Sequence, residues 1–131
     1  MDMEELIIYA DWKMLRELHP IVMDRFCQRH LDNVSKMINT TTVGAHQRYQ
    51  DIVGLMKSFD NLMKLLFADF RRSDGLMKLA GLREAKLVTD EEYARFGEAT
   101  HRWVAEFLTL SPSKEELQQR MIQARKPVDP R

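Results

Sequence analysis

Two pairs of residues in the sequence have the types and the spacing that suit a metal site on a helix. Cys27 and His30 lie three residues apart, and so do Glu98 and His101. Residues at this spacing share one face of a helix, and Glu-x-x-His is half of the ligand set of ferritin-like di-iron bundles. The second copy of that motif is absent from the sequence. We therefore expect no metal or other cofactor, and a metal-dependent enzyme that uses Glu98 and His101 is the third of three functional hypotheses.

Phosphoryl transfer and nucleophilic catalysis find little support in the sequence. His46 invites comparison with the exposed histidine of histidine phosphotransfer domains, which are helical bundles of similar size. Those domains carry a lysine and then a glycine shortly after the histidine, where this sequence has Arg48 and Tyr49. No serine has the surrounding glycines of a nucleophile elbow, and no glycine-rich phosphate loop occurs. The residue pattern favours a protein without chemistry of its own.

The composition is that of one soluble domain. The chain has 131 residues, of which 44% are hydrophobic, and 20 Lys plus Arg balance 20 Asp plus Glu. This balance argues against a nucleic-acid partner and against binding to an anionic membrane. No apolar run approaches the length of a membrane span, and the acidic residues at the start of the chain do not resemble a signal peptide. With the single cysteine, Cys27, these features predict a cytoplasmic protein.

Apolar residues recur at intervals of three and four, and only 5 Gly and 4 Pro interrupt them. This periodicity predicts an all-α fold, a single-domain helical bundle of five or six helices around one long central helix. We expect Pro20 to end one helix and open the next, because proline is poorly tolerated inside a helix. The bundle domain should cover residues 1–125, followed by a disordered tail over 126–131. The expected helices span residues 3–18, 20–38, 43–72, 76–86, 90–110 and 113–125.

The expected helix over 43–72 is long for its domain. Thirty residues at about 1.5 Å each would span about 45 Å, whereas a domain of this size is about 36 Å across. The helix must therefore bend, or a partner must cover it. Apolar residues such as Val53 and Leu55 lie beside its main stripe and widen the apolar surface. Nine methionines add the flexible side chains that adaptable binding surfaces use.

These features favour a small non-catalytic adaptor or regulatory protein that acts through protein–protein contacts, as a homodimer paired through the long helix. The partner protein itself cannot be named from the sequence. The same side chains also suit an intramolecular core. The expected contact residues are Tyr49, Met56, Phe59, Met63 and Phe70, with Arg71 and Arg72 at the rim.

The alternative hypothesis is a ligand-binding or sensor bundle. Such a protein holds its ligand in an apolar pocket between helices, and a histidine could gate the entrance. The side chains expected to line this pocket are Phe59, Met63, Phe96, Trp103 and Phe107.

A short segment near the C-terminal third has a recognisable order of residues. Leucines at 79, 82 and 87 are followed by Thr89, the acidic residues 90–92 and Tyr93. This order resembles the helical hairpin of bacterial short C-terminal domains, which usually have glycine where Lys86 stands here. The resemblance implies a helix, a turn and a second helix over residues 79–96, and a bacterial origin. Thr89 and Glu92 also form the sequence signature of a capping box.

Overall fold

The computed structural model describes residues 6–110 and shows an all-α, single-domain bundle, with no strand among these residues. The expected helix over 113–125 and the tail over 126–131 lie outside the described residues. A single 3₁₀ turn, Arg72–Asp74, joins the second and third helices. The helices are α1 (Tyr9–Asn39), α2 (Ala45–Phe67), α3 (Gly75–Glu84), α4 (Asp90–Ala94) and α5 (Glu98–Leu110).

Pro20 lies inside α1, so the expectation of two helices meeting at this residue was wrong. A buried stripe that includes Leu15, Leu18 and Val22 continues through the proline without a break. Pro20 lacks the N–H that would pair with the carbonyl of Arg16, and both residues lie on the exposed face, where water can pair with that carbonyl. Packing of the stripe therefore outweighs the lost hydrogen bond.

The second helix is shorter than the sequence predicted, because α2 ends at Phe67 and not near Arg72. The backbone leaves the helix at Ala68, which is extended with a ψ of 154°, and Asp69 then adopts a left-handed conformation with a φ of 53°. Phe70 then turns back onto Trp12, with ring centroids 5.5 Å apart. The buried ammonium of Lys78 donates hydrogen bonds to the carbonyls of Leu65 and Ala68 at 2.6 and 3.0 Å, where α2 leaves carbonyls unpaired.

A helix expected over 90–110 is broken into α4 and α5 at Gly97. The buried carboxylate of Asp11 accepts hydrogen bonds from the Gly97 N–H at 3.0 Å and from the Thr100 hydroxyl at 2.6 Å. A negative charge at this position stabilises the first turn of α5. Gly97 also suits the close approach, since a Cβ there would lie 3.3 Å from the Asp11 carboxylate. The capping box of Thr89 and Glu92 is confirmed at the start of α4.

Most of the core lies in one part of the molecule, which we call the base. It comprises residues 6–30 and 65–110, so it contains the first part of α1, the last turn of α2 and all of α3, α4 and α5. Arg25 and Arg29 join α1 to the segment after α3, because their guanidiniums donate to carbonyls there. The side chains with at most 2% exposure are Ile7, Leu15, Val22, Leu79, Ala80, Leu82, Leu87, Val88 and Val104.

Candidate functional site

Beyond the base, α1 and α2 continue together as an antiparallel pair, residues 31–64, which we call the distal hairpin. Val34 is the only buried residue between Leu31 and Lys64. Arg48 closes the far end, since its guanidinium donates to the carbonyls of Ile38 and Val43. The distal hairpin is therefore two ordered helices with almost no core of their own.

One side of the distal hairpin is apolar and exposed. Five of the ten large hydrophobic side chains exposed within residues 6–110 lie here. Helical spacing places two of them on one flank of α1 and three on the adjoining flank of α2. We call this surface the hairpin face, and it consists of Leu31 (55% exposed), Ile38 (52%), Tyr49 (66%), Val53 (36%) and Met56 (43%).

The register of the two helices makes the hairpin face continuous. His30 stacks on Phe59 with ring centroids 3.8 Å apart, and Arg48 reaches the carbonyl of Ile38. In an antiparallel pair these two contacts place Leu31 level with Met56 and Ile38 level with Tyr49. Val53 lies between these two levels, so the five side chains form one stripe.

The opposite side of the hairpin carries a groove of about 150 Å³ between α1 and α2. Its lining includes the rings of His30 and Phe59 and the side chains of Leu55 and Leu62, and Arg29 lies at its edge. His30 is 8% exposed, and its Nε2 has no hydrogen-bond partner within residues 6–110. Arg29 also contacts the carbonyls of Ala85 and Lys86, so the base lies on the groove side and leaves the hairpin face clear.

The structure brings together only part of the set of contact residues expected from the sequence. Tyr49 and Met56 lie on the hairpin face. Phe59 packs between the helices against Phe26, and Met63 is half-buried against the core.

The other three expected contact residues belong to the base, and two of them contact the N-terminal part of the described chain. Phe70 packs on Trp12 and on His19. Arg71 pairs with Asp74 at 3.0 Å, and Arg72 donates from Nε to the carbonyl of Ile7 at 2.9 Å.

Leu31 and Ile38 belong to the hairpin face although the sequence analysis did not select them as contact residues. Their helical spacing is that of core residues, and spacing alone does not show whether a third element packs on the stripe. The useful signal was the width of the apolar surface on the second helix, where Val53 lies beside the main stripe.

The side chains expected to form an interhelical pocket lie mainly in or against the core. Phe96, Trp103 and Phe107 are buried in the base, and Trp103 stacks on Phe107 with centroids 5.1 Å apart. Phe59 is the one member of that set that lines the observed groove.

The residues with metal-binding spacing are occupied in other ways. His101 donates from Nε2 to the Tyr93 carbonyl at 2.6 Å, and the exposed Glu98 lies 3.5 Å from Arg102. Across residues 6–110, no group of three His, Cys, Asp or Glu side chains is placed to hold a metal ion. His46 is exposed in the first turn of α2.

The strongest electrostatic feature lies within the base and joins α1 to α4. The Arg25 guanidinium donates to both carboxylate oxygens of Glu92, at 2.6 and 2.8 Å. This pairing, together with the backbone hydrogen bond from Thr89, lowers the pKa of Glu92 from 4.5 to about 2. The pair is a structural clamp, because both carboxylate oxygens are already used.

A scan against protein-family models and searches of curated proteins and solved structures found no match. In the part of the chain that the structure describes, no helix is long and apolar enough to cross a membrane. The function is therefore argued from geometry.

Proposed function

We propose that the chain is a non-catalytic adaptor or regulatory protein that acts through protein–protein contact, and that two copies pair through the hairpin face. The observation that carries this proposal is the single buried residue between Leu31 and Lys64. Helices in proteins owe most of their stability to packing of an apolar face. A pair of helices that leaves such a face exposed is expected to have a partner that covers it.

The hairpin face suits a second copy of the same chain. It contains apolar side chains on both helices, so a copy related by a two-fold axis along the hairpin sets α1 against α2 of its partner. The four helices then form an antiparallel bundle, in which each copy supplies half of the core. Leu31 and Ile38 of one copy face the three α2 side chains of the other. Tyr49 can bury its ring and keep its hydroxyl in water at the edge.

The size of the surface indicates a modest affinity. Residues 45–58 of α2 span about 20 Å, and two helices side by side are about 20 Å wide. A patch of this size lies at the small end of specific interfaces. Covering a half-exposed Leu, Ile or Met side chain contributes about 1 kcal/mol. We expect a dissociation constant of about 1–50 µM, which suits a pairing that can be regulated.

Sedimentation equilibrium tests the pairing. Wild-type protein should show a monomer–dimer equilibrium over about 1–100 µM, and Met56→Lys should weaken it by about tenfold or more by placing a charge in the interface. Gln50→Lys is the matched control, because Gln50 is exposed on the outer side of α2. A wild-type monomer at every concentration, or equal dimerisation of wild type and Met56→Lys, would contradict self-pairing.

The proposal places the protein in the cytoplasm. Cys27 is the single cysteine of the sequence and is half-buried on α1. A chain without a possible internal disulfide is compatible with a reducing compartment.

A further inference from the structure

The groove opposite the hairpin face has two features that a purely structural cleft does not need. The first is the Nε2 of His30, a ring nitrogen that is buried and makes no hydrogen bond to residues 6–110. A buried polar atom without a partner is costly, and such atoms are uncommon in native structures. The second is the charge of Arg29, since within residues 6–110 no carboxylate forms an ion pair with its guanidinium.

The rest of the groove is apolar and small. Phe59, Leu55 and Leu62 provide its hydrophobic surface, and the volume of about 150 Å³ is that of a cavity able to hold one benzene-sized ring. Ser58 and Asn33 add a hydroxyl and an amide at the edge. An apolar site with a few convergent polar groups is the usual form of a small-molecule site.

The apolar surface of the groove and the positive charge of Arg29 together indicate the class of ligand that fits it. Phe59 already stacks on both His30 and Phe26, so an aromatic ring in the groove would extend an existing cluster of rings. Among the described residues, Arg29 donates one hydrogen bond to the Ala85 carbonyl and one to the Lys86 carbonyl. Its guanidinium has five N–H donors, so further donors remain for an anion.

We propose that this groove binds a small monocyclic aromatic carboxylate, with its ring against Phe59 and Leu55 and its carboxylate near Arg29. The unpartnered Nε2 of His30 belongs to the same lining and is a further polar group at the site. The site lies on the opposite flank of the hairpin from the dimer surface. Ligand binding and dimerisation can therefore be tested separately.

Nuclear magnetic resonance titration with benzoate tests the site. Benzoate should shift the resonances of His30 and Phe59 saturably, with a midpoint of about 1–10 mM for a ligand of this size. Benzyl alcohol, which keeps the ring without the charge, and acetate, which keeps the charge without the ring, should each bind about fivefold more weakly or worse. Equal binding of benzoate and benzyl alcohol would overturn the proposed role of Arg29.

Two variants sharpen the test. Ser58→Trp should fill the groove from its edge and abolish the saturable shifts, whereas Asn61→Trp, at an exposed position outside the groove lining, should leave them unchanged. Arg29→Gln should weaken benzoate about fivefold while keeping an amide donor for the carbonyls. Absence of saturable shifts at 20 mM benzoate, or unchanged binding in Ser58→Trp, would overturn the proposal.

Discussion

Both the base and the distal hairpin contain large apolar side chains, but the two regions bury them to very different extents. In the base, Leu79 and Leu82 are completely buried, and even the charged groups of Asp11 and Lys78 are covered and hydrogen-bonded. In the distal hairpin, Leu31 stays 55% exposed although it lies about one turn before the buried Val34 on the same helix. The same helix, α1, passes through both regions, so helix propensity does not explain the difference.

This contrast separates two roles within one chain. The base contains nearly all of the buried apolar side chains among residues 6–110, and it fixes the root of the hairpin through Arg25 and Lys78. The distal hairpin carries its apolar residues where another molecule can reach them. This uncovered apolar surface is the basis of the proposed contact with a second copy.

The largest effect should follow a truncation in the base. Leu79→Ala should lower the free energy of unfolding by about 3 kcal/mol, because it leaves a cavity in a close-packed core. Leu31→Ala on the hairpin face should cost about 0.5 kcal/mol in dilute monomer. Urea unfolding followed by tryptophan fluorescence at about 0.1 µM protein, below the expected dissociation constant, compares the two. Equal losses would mean that the distal hairpin is as well packed as the base.

A smaller effect should follow the loss of the buried ammonium. Lys78→Met keeps most of the side-chain volume but leaves the carbonyls of Leu65 and Ala68 without their donor, and we expect a loss of about 2 kcal/mol. Lys64→Met, at an exposed position in the last turn of α2, is the control and should change the stability by less than about 0.5 kcal/mol. If the two variants unfold at the same urea concentration, Lys78 does not hold the root of the hairpin.

Acid should weaken the clamp between α1 and α4. Because folding lowers the pKa of Glu92 from 4.5 to about 2, its contribution is complete above pH 4.5 and is lost as the pH falls towards 2. Glu92→Gln should cost about 1–2 kcal/mol at pH 7, with allowance for screening at the partly exposed Arg25, and almost nothing at pH 2. Urea unfolding of both proteins at a series of pH values checks this. A difference that does not change between pH 5 and pH 2 would show that the charge of Glu92 is unimportant.

The smallest expected effect is a gain in stability. Lys86 adopts a φ of 60° directly after α3, a conformation that glycine adopts without strain. Lys86→Gly should therefore stabilise the base by about 0.5–1 kcal/mol. The matched control is Lys57→Gly in the middle of α2, which should destabilise the protein by about 1 kcal/mol. Thermal unfolding of the two variants in parallel distinguishes them by the sign of the shift in Tm.

The sequence predicted the elements that depend on local chemistry. The helical class follows from the apolar spacing, and the start of α4 follows from Thr89 and Glu92. Where a prediction from the sequence was wrong, contacts between residues far apart in the chain determine the structure. Asp11 is far from Gly97 in the chain yet ends the expected helix there, and the packing of α1 overrides the helix-breaking tendency of Pro20.

The candidate site was only partly predictable for the same reason. Tyr49 and Met56 could be selected from the width of an apolar stripe, whereas Leu31 and Ile38 have the spacing of core residues. Whether such a stripe is covered depends on how far the neighbouring elements extend. Here α3, α4 and α5 are short and lie on the groove side, so the opposite side stays exposed.

Hydrogen exchange at two protein concentrations tests the central claim most directly. If a second copy covers the hairpin face, amides of 31–39 and 45–58 should exchange more slowly at about 200 µM than at about 0.2 µM, on either side of the expected dissociation constant. Amides of α3 and α5 in the base should exchange at the same rate at both concentrations. Exchange in the distal hairpin that does not depend on concentration would contradict the account, because it would mean that two copies do not meet there.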